Sequence, residues 1–289
     1  MPCPRLRASP AALLGLALGL GSLAPASVSA QGAGRIEPLP QGHLFQPLVA
    51  DPKQPHFFAT WLWVTSPRIT GQVSSIGLGE DVGLLRGRGK RWQVSVAAGV
   101  LSHFDMGTRS NDLINTDFLI GFPFTYRQGG LSARAQVYHQ SAHLGDEFVL
   151  NTQPSRVNLS FEALEVLASH EFGSVRAYAG GEHIFRREPA TLKPGLLHGG
   201  VEVRPGGAVV RVGGLGTGRL VAALDVKSTE ERKWRVGWSA RLGVEFQPAG
   251  TTMPRRLSVQ LEAYAGPAPY GQFYVENVKS VGVGLHFSL

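Results

Sequence analysis

One cysteine, Cys3, occurs in the 289 residues. It falls in an expected leader, so the mature chain has no thiol, and a disulfide scaffold or a cysteine metal site is excluded. Long unbroken apolar runs are lacking too. The stretch from Ala11 to Leu23 is interrupted by Gly and Ser; it follows Arg5 and Arg7 and leads to Val28-Ser29-Ala30 before Gln31. That is the pattern of an export signal covering 1–30, too short and too broken for a membrane helix. Blocks of basic residues are also missing. Of the formal charge of +7, Arg5 and Arg7 account for two, which leaves +5 on the mature chain. No nucleic-acid partner is expected from so dispersed an excess on an exported protein. No low-complexity tail occurs either. The 37 glycines and 19 prolines are spread among apolar stretches, which argues against disorder and for strands and turns.

What the chain does have is alternation. After a Pro-containing arm without clear periodicity, 31–55, expected to cross the periplasm, residues 56–289 form one domain of two-faced segments. In Trp234-Arg235-Val236-Gly237-Trp238-Ser239-Ala240-Arg241-Leu242-Gly243-Val244-Glu245-Phe246 the even positions are all apolar and the odd ones are Arg, Gly, Ser and Glu. A period of two is a strand with one apolar and one polar face. The same holds for Leu257 to Tyr264 and for Val281, Val283, Leu285, Phe287 and Leu289 at the close.

These segments are longer than the ~5–6 residues usual for soluble strands. Their polar faces carry both signs of charge, as at Arg235, Arg241 and Glu245, and Phe57, Phe58, Trp61, Trp63, Trp92 and Trp238 can supply interfacial girdles. The expectation is an all-β fold, an antiparallel transmembrane β-barrel of about twelve strands with both termini on the periplasmic side. Its lumen is expected to be filled by Arg134, Arg176, Glu182, Arg204, Asp225, Arg235, Arg241, Glu245 and Glu262. Tight turns at 88–90, 128–130 and 173–174 support the count; the connector at 205–218 is too long for a periplasmic turn.

On the fifth expected strand, 131–147, the apolar register Leu131, Ala133, Ala135, Val137 faces lipid, and it continues as His139, Ser141 and His143. Residues two apart on one face lie ~6.5–7 Å apart along the strand, near enough for an imidazole to take a proton from a serine hydroxyl. A nucleophile on the bilayer side of the wall suits an ester of a membrane lipid. The bland alternative is a set of polar residues in the headgroup zone. Asp146 and Glu147, with His143, are either a site for a hard cation such as Ca2+ or a solvated loop. Asp105, Asp112 and Asp117 are a second acidic patch or ordinary loop residues. Gly213 to Gly218 lacks the strand-to-helix context of a phosphate cradle and reads as a connector. Gly266 to Gly271 is expected to pack over the outer rim.

Tyr138-His139-Gln140-Ser141 resembles the His-x-Ser strand of outer-membrane phospholipase A, a twelve-stranded serine hydrolase whose His and Ser lie on the lipid-facing wall, and it is similar to the His-x-Ser of outer-membrane lipid A deacylases. The resemblance implies Ser141 as nucleophile and His139 as base. It also implies an Asn on the next strand, for which Asn158 is the counterpart. The match departs in Ala142-His143 after the serine and in the parity of Asn158, which faces the lumen if Val157, Leu159 and Phe161 face lipid. Over its mature length, through Pro47-Leu48-Val49-Ala50-Asp51-Pro52, YHQSAHLGDEF, Arg156 to Ser160, Val221 to Asp225 and Gly266 to Tyr274, the chain resembles the DUF1207 family of bacterial exported proteins. The expectations are an outer-membrane location, contact with phospholipid or lipopolysaccharide, passage through the barrel-assembly machinery and a homodimer. The functional alternatives are a lipid acyl hydrolase and a non-enzymatic barrel, either a narrow channel or a surface protein.

Overall fold

The computed structural model describes residues 36–288 apart from 155, 208, 214 and 248–255. The expected signal peptide at 1–30 and the closing Leu289 lie outside the described residues. Within them, twelve antiparallel strands close into a barrel. They are β1 Phe57–Thr65, β2 Thr70–Arg86, β3 Trp92–Asp105, β4 Asp112–Gln128, β5 Leu131–Leu144, β6 Leu159–Phe172, β7 Val175–Glu188, β8 Gly195–Val203, β9 Gly216–Thr229, β10 Arg235–Gln247, β11 Arg256–Pro267 and β12 Asn277–Ser288. Each pairs with the next, and β12 returns to β1 from Lys279 opposite Thr65 to Phe287 opposite Phe57. Closure leaves no unpaired sheet edge.

The expected strand count holds, with local differences. The fifth strand stops at Leu144, and Asp146–Thr152 form a short helix, α1. The helix turns because Phe148 is drawn into a cluster with Val64, Val73, Ile114 and Leu144 under the rim. The long 205–218 connector contains a three-residue strand, Val210–Val212, that pairs back on the start of β9. Its length therefore extends a hairpin. Among the described residues no helix is long and apolar enough to cross a membrane.

The outward face is apolar around the circumference. Trp61, Leu78, Phe122, Val137, Val166, Leu197, Leu224, Trp238, Leu242, Leu261 and Val283 all stand exposed on it. A continuous apolar surface of this kind is covered in use by something other than water. Phe58 leaves the expected girdle: it turns inward against His56 and His286.

Inside, the polar faces interlock. Arg134 meets Glu165 at 2.8 Å, Arg176 meets Glu202 at 3.4 Å, and Asp225 accepts from Tyr178 and pairs with His198, both at 2.6 Å. Of the expected lumen set, Arg235 differs: at the start of β10 it is exposed.

The segment read as a periplasmic arm folds into this interior. Leu48 is 2 % exposed and Ala50 0 %. Beyond Glu37–Pro38, which pair with Arg86 and Leu85 of β2, its prolines keep it out of regular structure, so its backbone groups bond to the wall instead. Arg86 donates to the carbonyls of Gln41 and Gly42 at 2.9 and 2.7 Å, Val49 N donates to Glu202 at 2.9 Å, and Arg241 donates to the Val49 carbonyl at 2.7 Å. Phe45 sits between the guanidinium groups of Arg134 and Arg176, 5.0 and 4.6 Å from its ring centre. Charge and packing together make residues 40–56 a plug.

At the end away from the termini, the connector after β11 folds over the opening. Tyr270 donates to the Pro52 carbonyl at 3.0 Å, and Gly271 N donates to Asp117 Oδ2 at 3.0 Å. The external loop expected at 266–271 thus reaches inward and meets the tip of the plug. Asp117, read with Asp105 and Asp112 as either an acidic patch or ordinary loop residues, is instead a buried acceptor that ties down this lid.

Candidate functional site

β5 alternates strictly. Ser132, Arg134, Gln140 and Ala142 are buried inside, whereas Leu131, Val137 and His143 are exposed outside. His139 and Ser141 share the outward register, close to the end of the barrel remote from the termini. The outward register expected for His139 and Ser141 is the one observed.

The neighbouring strand reverses its expected parity. Leu159, Phe161 and Ala163 point inward, at 3, 6 and 0 % exposure, while Leu164 and Val166 point out. Both registers of Leu159–Phe172 contain apolar residues, so short-range alternation around 157–161 is ambiguous. The inward set is claimed by an internal cluster with Ala142, Ile184 and Leu192, packed by Tyr138 and Tyr274 beneath the rim. Asn158 precedes β6 and is exposed.

The reversal places Glu162 on the outer wall directly across from His139, and Ser160 across from Ser141. His139 Nδ1 lies 3.1 Å from Glu162 Oε1. An Nδ1–H donated to this carboxylate leaves Nε2 unprotonated, the tautomer a base requires. Arg186 Nη1, on β7, is 3.6 Å from the same oxygen, and its side chain is 81 % exposed. The Arg balances the carboxylate. On the other flank Ile120 stands opposite His139 and Phe118 opposite Ser141. The polar group thus forms a short row, His139, Ser141, Glu162 and Arg186, bordered by Phe118, Ile120, Val137 and Leu164. Glu162 was not singled out from sequence; its signal would have been a carboxylate in a run whose other parity also reads as a strand.

Ser141 Oγ makes no hydrogen bond to His139 among the described contacts, and catalytic contacts of this kind often tighten only with substrate bound. Asp146 and Glu147 open α1 and turn to solvent. Among the described residues no group of three or more His, Cys, Asp or Glu is gathered to hold a metal ion. Asp146 and Glu147 belong to no such group, and no step is derived from a cation.

A family model described as a protein of unknown function, DUF1207, matches residues 27–289. The chain belongs to this family. No curated protein matches its sequence. Among solved structures it is similar to outer membrane phospholipase A from Escherichia coli, at 13 % identity and TM-score 0.57, covering 84 % of this chain and 93 % of that one. It is similar also to the Salmonella typhi outer membrane phospholipase, solved as a dimer with bound calcium, at 13 % identity and TM-score 0.54, covering 81 % of this chain and 91 % of that one. A third structure, of the Escherichia coli enzyme with an active-site asparagine replaced by alanine, aligns at 13 % identity with TM-score 0.56 over 84 % of this chain and 93 % of that one. At this identity the likeness is one of fold, and the DUF1207 chain is an outer-membrane-type barrel.

Proposed function

We propose that this DUF1207 protein is an acyl hydrolase of membrane lipids, placed in the bacterial outer membrane. Ser141 attacks the ester carbonyl, and His139 takes its proton and returns it to the leaving alcohol. Glu162, in the place where Asn158 was expected to serve, holds the imidazole. The observation that carries this reading is the joint outward position of His139 and Ser141 with Glu162 on the remaining imidazole nitrogen, set in an apolar wall. A hydrolase acting on soluble esters has no use for a nucleophile there. The lipid partner is phospholipid or lipopolysaccharide; the fold relatives named as phospholipases support the former. A homodimer is consistent with the dimeric Salmonella relative. The filled lumen speaks against an open channel.

The test is fatty-acid release from mixed phospholipid and detergent micelles by refolded protein, with and without calcium, beside Ser141→Ala. Release that disappears in the variant is expected. Absence of release, or equal release from both proteins, would overturn the reading.

A further inference from the structure

At the end of the lumen that holds the barrel's termini, far from Ser141, a cavity of ≈ 120 Å³ lies between plug and wall. Its charged lining is Arg204, Arg241 and Arg256 with one carboxylate, Glu245. Glu245 stands 3.8 Å from Arg204 Nε and 3.7 Å from Arg256 Nε, too far to be hydrogen-bonded to either nitrogen. Behind them Glu202 is shared by Arg176 and Arg204, at 3.4 and 2.9 Å. Glu262 lies 3.7 Å from Arg241 Nε and 2.6 Å from His286 Nε2. Among the described residues these pairs set four guanidinium groups against three carboxylates.

The imbalance coincides with unmet hydrogen-bonding capacity. The buried Nε–H groups of Arg204 and Arg241 have no acceptor among the described residues, and His43 Nδ1 is also without a partner. Gln260 Oε1, on a side chain buried at the same cavity, has no donor. Buried donors and acceptors in folded proteins are almost always paired, and an excess buried charge is costly unless it is neutralised. A ligand meeting both demands is anionic, accepts from guanidinium N–H groups and offers one O–H of its own.

We propose that this cavity binds a small free oxyanion, hydrogenphosphate. Its oxygens accept from Arg204 and Arg241, Arg256 supplies further charge, and its hydroxyl donates to Gln260 Oε1. Plug residues His43, Gln46 and Val49 also line the cavity, so occupancy is coupled to the seating of the plug. None of these groups belongs to the outer-wall site. The inference is independent of the hydrolase reading.

The experiment is calorimetric titration of refolded full-length protein in detergent with sodium phosphate at neutral pH, ionic strength being held with chloride. One saturable site is expected, with sulfate, which carries no proton, bound at least several-fold more weakly. The double variant Arg204→Gln with Arg256→Gln is expected to weaken phosphate about tenfold or more. Glu245→Gln, which removes the competing carboxylate and keeps the side chain's size, is expected to tighten it several-fold. No saturable phosphate binding, sulfate binding as tight as phosphate, or affinity unmoved in Glu245→Gln would each overturn the assignment.

Discussion

Lys227 on β9 and Asp51 on the N-terminal segment meet at 2.5 Å inside the barrel, joining the plug to the wall. Burial alone would raise the Asp51 carboxyl, but the adjacent Lys227 charge, reinforced by His198 and by the hydrogen bonds from Lys227 and Lys53 N, holds it well below the usual carboxylate range. Removing one member of such a pair leaves the other charge buried and uncompensated. Asp51→Asn is expected to destabilise the protein by about 3–5 kcal/mol, and Asp51→Asn with Lys227→Met by less than the two single changes summed. Denaturant unfolding of the four proteins in detergent measures this. Additive effects would show that the pair does not seat the plug.

His56, next to the first strand, has its Nδ1 2.7 Å from the Gln54 carbonyl and its Nε2 2.9 Å from His286 Nδ1. Burial, followed by the nearby Arg241 charge and His286, lowers its pKa from 6.5 to about 3. The folded protein therefore keeps this ring neutral where the unfolded chain protonates it. Its contribution falls as pH drops from 6.5 towards 3, by at most about 1.4 kcal/mol per pH unit. The Asp51 contribution falls only below about pH 4, where the unfolded carboxyl protonates. Unfolding free energy followed from pH 7 to 4.5 is expected to decline in the parent protein and to decline less in His56→Gln. Identical slopes would remove His56 as the cause.

Glu162 is expected to act through His139 and not on the substrate. Glu162→Ala should lower kcat roughly a hundred- to ten-thousand-fold, with KM little changed. Glu162→Gln keeps an oxygen to accept the Nδ1–H and should recover part of the loss, with a shifted acid limb of the pH–rate profile. Steady-state lipolysis of the two variants separates this from a structural role, for which both would lose folded protein and not kcat.

The lid depends on Gly271, which has φ of 59° and a close approach to Asn115: a Cβ there would fall 2.7 Å from Asn115 Nδ2. Gly271→Ala is expected to cost about 1–3 kcal/mol through strain and the displaced Asn115, and to expose the lid to proteolysis. Limited digestion of folded protein, with cleavage mapped to 268–276, checks it. Unchanged protection would mean that the lid is held mainly by Tyr270 and by Gln272, whose Oε1 accepts from Val157 N at 2.8 Å.

Strand length, mixed charge on the polar faces and the aromatics pointed to a barrel of about twelve strands. Alternation by itself determined the two faces of each strand, because a period of two is a local property that survives any arrangement of neighbours. It also placed His139 and Ser141 on the outer wall, since the register from Leu131 to Val137 has only one apolar parity. Tertiary structure decided the rest. In β6 both parities are apolar enough to face lipid, and the choice was made by an internal cluster whose members come from β5, β7 and the loop after it. That choice turned Glu162 outward to His139. The arm carries no periodic signal, because its backbone is satisfied by Arg86, Glu202 and Arg241, residues distant in sequence. Its place inside the barrel follows from partners that only the closed wall brings together.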